Sequence, residues 1–127
     1  MNTPTNLKYA NNDEWINAEG VVGVSDYAQD QLSDVVYVEI SVAVGDQVKK
    51  GDTIATIESV KAAADVYAPA SGVVAAINED LSNTPEIVNS DPYGAAWLIK
   101  IDVSDSAEVK ALMDAAAYET YCSGRQH

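Results

Sequence analysis

The chain has 127 residues, 47% of them hydrophobic, which suits one domain that can bury a core without disulfide or metal staples. Seven Lys+Arg against twenty Asp+Glu give a formal net charge of −13, which speaks against nucleic acid and anionic membrane surfaces as partners. No apolar run approaches the roughly 18 residues of a membrane span, and the polar start from Met1 to Asn12 lacks the apolar stretch of an export signal.

The predicted elements, in chain order, begin with a terminus expected to fray up to Thr5. Glu14 to Ala18 and Val21 to Val24 read as two short strands around Glu19-Gly20. Ser25 is a good N-cap for a short helix over residues 26–32. Val35 to Ile40 is rich in β-branched residues and is expected to be a buried strand. Val44-Gly45-Asp46 and Lys50-Gly51-Asp52 are turn signals. Thr53 to Glu58 alternates polar and apolar, the pattern of a half-buried strand. Ala62 to Ala68 carries a weaker strand pattern that ends at Pro69. Ser71-Gly72 turns into a strand over Val73 to Ile77, and Pro85 to Val88 suits one helical turn. Asp91-Pro92-Tyr93-Gly94 is a tight turn before a strand at Trp97 to Ile101. Val109, Leu112, Met113 and Ala116 then fall at i, i+3, i+4 and i+7, which predicts one terminal helix over about 105–121, capped by Ser104 or Ser106. Short strands, frequent turns and a terminal helix give a mostly-β (α+β) fold, with residues 1–127 as one domain and an ordered core over about 7–121.

Catalytic constellations are not expected. Cys122 is the only cysteine and His127 the only histidine, both on what reads as a C-terminal tail. No intramolecular disulfide can form, which fits a reducing cytoplasm. Zinc lacks its usual ligands, and neither a glycine-rich phosphate loop nor a Gly-x-Ser-x-Gly motif occurs. The expected catalytic and metal assignments are therefore none, and the expected class is a carrier or binding module.

Lys61 lies midway between two glycine turns, Gly51 and Gly72. Strand-like arms of near-equal length flank Ser59-Val60-Lys61-Ala62, so Lys61 is expected at a hairpin tip, where a side chain projects furthest. On spacing alone such a lysine reads as a solvated charge. The residues around it add more. Glu58-Ser59-Val60-Lys61-Ala62, with Asp65-Val66-Tyr67-Ala68-Pro69 and Ser71-Gly72, resembles the lipoyl-attachment hairpin of glycine cleavage H proteins. Asp13-Glu14-Trp15, Ser25 to Gln29, Asn89 to Gly94 with Trp97 to Lys100, and Met113 to Tyr118 resemble the same family, so the likeness runs from about Leu7 to Tyr121. Biotin carriers typically place Met on both sides of the modified lysine, whereas Val60 and Ala62 stand here.

The resemblance implies a barrel-sandwich hybrid with a short helix and a C-terminal helix. It implies lipoate bound covalently as lipoyllysine at Lys61, with Glu58 helping the lipoylating enzyme to recognise the hairpin. Glu14 and Asp65, with Asn12 as a third, become candidates for a pocket that holds the aminomethyl group of glycine. The implied partners are a glycine decarboxylase (P protein), an aminomethyltransferase (T protein), a dihydrolipoyl dehydrogenase (L protein), and a lipoyl ligase or octanoyl transferase. A cytoplasmic monomer is expected, with no membrane partner. A lipoyl carrier serving sulfur oxidation or lipoyl relay would share the hairpin, and an unmodified interaction module is a third class. Trp15, Trp97 and Tyr93 read as core, as do Val109, Leu112 and Met113. Three departures from the family pattern stand out: Asp13 in place of His, Ser33 in place of Gly, and a first hairpin a few residues shorter.

Overall fold

The computed structural model describes residues 1–125, so His127 lies outside the described residues. Nine strands form two antiparallel sheets. The first has six strands: β1 (Lys8–Tyr9), β2 (Glu14–Ile16), β3 (Val21–Val24), β9 (Ile99–Val103), β8 (Gly72–Ile77) and β5 (Gln47–Val48), in that spatial order. The second has three: β4 (Val35–Ile40), β6 (Thr53–Ser59) and β7 (Ala63–Tyr67), ordered β4-β6-β7. Four short α-helices and one 3-10 turn (Glu79–Ser82) complete the described fold: α1 (Asp26–Leu32), α2 (Ile87–Ser90), α3 (Ser106–Lys110) and α4 (Ala115–Ser123).

Local chemistry explains the main junctions. Ser25 caps α1, its Oγ accepting from the Ala28 N–H at 3.2 Å. Gly51 turns the chain into β6 with φ of +95°, a left-handed conformation that a side chain resists. Trp15 pairs with Gly23 across β2 and β3, and a Cβ at Gly23 would meet the indole at 2.7 Å. The indole therefore lies flat over the strand, and its Nε1–H donates to the Pro92 carbonyl at 3.1 Å.

Two apolar clusters hold the molecule together. The larger draws on both sheets, with Ile54, Ile57, Leu98 and Ile99 fully buried. Burying each such side chain stabilises the fold by roughly 1.5–3 kcal/mol before entropy is counted. The smaller lies under α4 and contains Tyr9, Trp15, Tyr118 and Cys122. Tyr9 and Tyr118 stack there, ring centroids 4.6 Å apart.

Several expectations need correction. The terminal helix is not one element: α3 and α4 are separated by residues 111–114, where Met113 forms an isolated bridge with Tyr9. Tyr9 N–H donates to Met113 O at 2.8 Å and Met113 N–H returns to Tyr9 O at 2.9 Å, so the helix must open to form this pair. Asp105 and Asp114 cap the two helices, rather than Ser104 or Ser106. Val109, Leu112 and Met113 are half-buried, Ala116 is exposed, and no single helical face contains all four. β4 is half-exposed rather than buried, with Val36 54% and Tyr37 44% accessible. It is the edge strand of its sheet, and only Val35 and Val38 along it are buried. The expected fray before Thr5 is tied down: Asn2 N–H donates to Asp26 at 2.6 Å, and Tyr93 and Tyr9 hydroxyls donate to the Asn2 and Pro4 carbonyls. Cys122 is on α4 and buried, not on a tail. Smaller shifts place β2 at Glu14–Ile16, α2 at Ile87–Ser90 and β9 at Ile99–Val103, with Trp97 before the strand.

Candidate functional site

Lys61 occupies the tip of the β6–β7 hairpin, with Glu58 paired to Ala63 just below it. Ser59 closes the turn. Its N–H donates to Ala62 O at 2.7 Å, and its Oγ accepts from Ala62 N–H at 3.1 Å. Val60 N–H donates to Asp34 O at 3.0 Å, which ties the tip to the residue before β4. Val60 and Lys61 are exposed, with Val60 76% accessible. The backbone under Lys61 is therefore anchored while the side chain is free to be gripped. Glu58 is exposed and pairs across to Tyr37 on β4.

Beside the hairpin is a cavity of about 260 Å³ whose lining includes Asn12, Glu14 and Asp65. The three pocket candidates thus meet in space, although they lie on two different sheets and a loop. Val24, Leu32 and Ile57 supply an apolar wall. Ala62 and Ala64 also line it, and larger side chains there would fill the space. The contribution of α1, through Ala28, Gln31 and Leu32, is not visible in the sequence, because nothing local relates those positions to Lys61. Asp13 lines the cavity as well and takes part in the network below α4.

Glu14 and Asp65 differ sharply in environment. Glu14 is only 2% exposed, and its Oε2 accepts from Tyr67 N–H at 3.1 Å. Burial pushes its carboxyl up to about 7; the Tyr67 hydrogen bond opposes this and the nearby Asp13 charge adds to it. Asp65 is exposed at the edge of the cavity and accepts from Thr56 Oγ1 at 3.2 Å. Asn12 is exposed. Trp15 and Trp97 belong with Tyr93 to the smaller cluster rather than to the cavity. Among the described residues no group of three or more His, Cys, Asp or Glu side chains is placed to hold a metal ion, and no helix is long and apolar enough to cross a membrane.

Two small antiparallel sheets that present one lysine at a hairpin tip define the class: a barrel-sandwich hybrid of the lipoyl-carrier kind. A crystal structure of a glycine cleavage system H protein from Mycobacterium marinum matches this fold with a TM-score of 0.85 at 30% identity, covering 94% of this chain and 98% of that one. The glycine cleavage system H protein of Deinococcus deserti is 54% identical over 119 residues, 94% of this chain and 97% of the relative. That of Thermotoga maritima is 49% identical over 119 residues, 91% and 95% of the two chains. The family profile described as glycine cleavage H-protein matches residues 7–125. The chain belongs to the glycine cleavage H-protein family.

Proposed function

We propose that this chain is the lipoyl-bearing carrier of a glycine cleavage system, that Lys61 is its attachment site, and that the cavity at Glu14 receives the amine of the carried aminomethyl group. The observation that carries the reading is an exposed lysine on an anchored tip beside a cavity with an apolar wall and a buried carboxyl. The residues fit the group: an exposed amine suits amide formation, and the apolar wall suits an aliphatic arm. When attached, a lipoyl group supplies the disulfide that takes up the aminomethyl fragment and the thiols to be reoxidised.

The chain's own residues perform three tasks. Lys61 gives up its amine proton and charge to the amide bond. Glu58, exposed near the tip, offers the acylating enzyme, a lipoyl ligase or octanoyl transferase, a charge to recognise. Glu14 and Asp65 favour the protonated amine, which has no lone pair with which to expel the sulfur, while the apolar wall limits water. A cation in the cavity also favours ionised Glu14, so loading near neutral pH releases a proton from that carboxyl. Glycine decarboxylase, aminomethyltransferase and dihydrolipoyl dehydrogenase are the partners of this reading, in the cytoplasm, with the chain as a monomeric carrier and not itself an enzyme.

Two results test it. Lys61→Arg keeps the charge but loses the acylatable amine, so glycine exchange with the decarboxylase is expected to vanish while the fold remains. In the loaded carrier, Glu14→Gln is expected to speed spontaneous release of formaldehyde and ammonia more than Asp65→Asn does, because an exposed carboxylate is screened. The gain should shrink as pH falls, since the amine then stays protonated unaided. Release as slow as in the parent at neutral pH in both variants would remove the cavity from the account.

A further inference from the structure

The turn that supplies one wall of the cavity is held by side chains far away in sequence. Glu14 opens β2, and Asp13 before it takes a left-handed φ of 75°. Such a conformation costs a non-glycine residue on the order of 1 kcal/mol and persists only where its surroundings impose it. Backbone bonds close the turn: Asp13 N–H donates to Ala10 O at 3.0 Å, Ala10 N–H to Glu14 O at 2.8 Å and Ser25 N–H to Asp13 O at 2.8 Å. The C-terminal segment adds side-chain ties to it. Tyr118 Oη donates to Asp13 Oδ1 at 2.7 Å and lies 2.6 Å from Ser25 Oγ, the cap of α1. Arg125 Nη1 is 2.8 Å from the same Asp13 oxygen, and its Nη2 donates to Asn11 O at 2.9 Å. Tyr121 Oη donates to that same carbonyl at 3.1 Å. The guanidinium lies over the rings of Tyr27 on α1, at 4.4 Å, and Tyr121 on α4, at 4.3 Å. One cation therefore joins α1, α4 and the turn at 11–13, and α1 and that turn both line the cavity.

We infer that Arg125, acting with Tyr118, is a positioning residue: it fixes the turn at residues 11–13 and so holds the Glu14 side chain in the cavity. What the cavity receives rests on the reading under Proposed function; the positioning itself does not. Arg125 touches no part of the Lys61 hairpin in the contacts above. A guanidinium suits the place because separate nitrogens of one planar fork engage Asp13 and Asn11 while its carbon lies over two rings, a geometry that the point charge of an ammonium does not reproduce.

The test follows Glu14 by carboxyl-carbon NMR titration in the unmodified protein, where Lys61 is free. The charged groups lining the same cavity are Asp13, from Glu14's own segment, and Asp65, from β7. Geometry and charge act with opposite sign. If Arg125 only offsets the Asp13 charge, Arg125→Met raises the Glu14 midpoint. If it positions the turn, the loosened carboxyl gains water and the midpoint falls from about 7 toward the ordinary carboxyl range. A fall of about one pH unit or more is expected, a tenfold change in the protonation equilibrium. Arg125→Lys keeps the charge without the fork and is expected to fall in the same direction. A midpoint that is unchanged or raised in both variants overturns the inference. A fall without faster release from the loaded carrier keeps the positioning and sinks the assignment of the cavity to the amine, so the two readings fail separately.

Discussion

Burial raises the Glu14 carboxyl from its ordinary value of 4.5 to about 7 in the folded chain. Between those values the folded chain binds more protons at this carboxyl than the unfolded chain does. The stability this contributes is fully present below pH 4.5 and is lost as pH rises through about 7. At pH 8 the buried charge costs up to about 3 kcal/mol. Glu14→Gln keeps an oxygen for Tyr67 N–H, so urea melts are expected to match the parent near pH 4.5 and to show a more stable variant at pH 8. Equal stability of the two proteins at both pH values would show a hydrated carboxyl. Ser33 gives a second prediction at this scale. It ends α1 at φ 62° and ψ −144°, a region natural to glycine. Ser33→Gly is expected to stabilise by about 1 kcal/mol in a urea melt, and a loss would show that the hydroxyl outweighs the strain. The place of Lys61 at a hairpin tip was legible in the sequence because it depends on local turn glycines and alternation. The burial of Glu14 was not, because it depends on Tyr67, 53 residues away.

Elements defined by neighbouring residues came out as the sequence suggests. α1 follows its Ser25 cap, and β6 follows its polar–apolar alternation. The C-terminal helix did not, because a 3.6-residue period ran across a break imposed from outside: the Tyr9–Met113 pairing opens the chain before Asp114 recaps it. β4 misled in a related way, since β-branched residues favour a strand but do not say which of its sides is covered. The broken helix changes the energetics. Leu112 is half-buried between α3 and α4, so Leu112→Ala is expected to cost on the order of 1 kcal/mol, below the 2–5 kcal/mol of a fully buried leucine. Tyr118 is fully buried on α4, and Tyr118→Phe removes its bonds to Asp13 and Ser25, at a cost of about 1–3 kcal/mol. If the leucine variant loses more than the tyrosine variant in urea melts, the loop at 111–114 and not the network under α4 is what secures the C-terminal segment.

At the scale of the whole molecule, two sheets bring together residues that the sequence separates. The fold sets Asn12 and Glu14 from one end of the chain beside Asp65 from its middle, and α1 closes the space between them. The mostly-β class and the hairpin were readable from turn glycines and alternation; the packing of the two sheets was readable only through resemblance. The net charge of −13 leaves few lysines in the chain, and the proposed acylation at Lys61 distinguishes it from the others by geometry. Lys49 and Lys50 are also exposed, but they flank the Gly51 turn rather than a projecting tip. The most direct test of the central claim is peptide mass mapping of the protein after treatment with an active lipoyl ligase. One acyl group is expected, on the peptide containing Lys61, with Lys49 and Lys50 unmodified. An acyl group on any other lysine, or none at all, would contradict it.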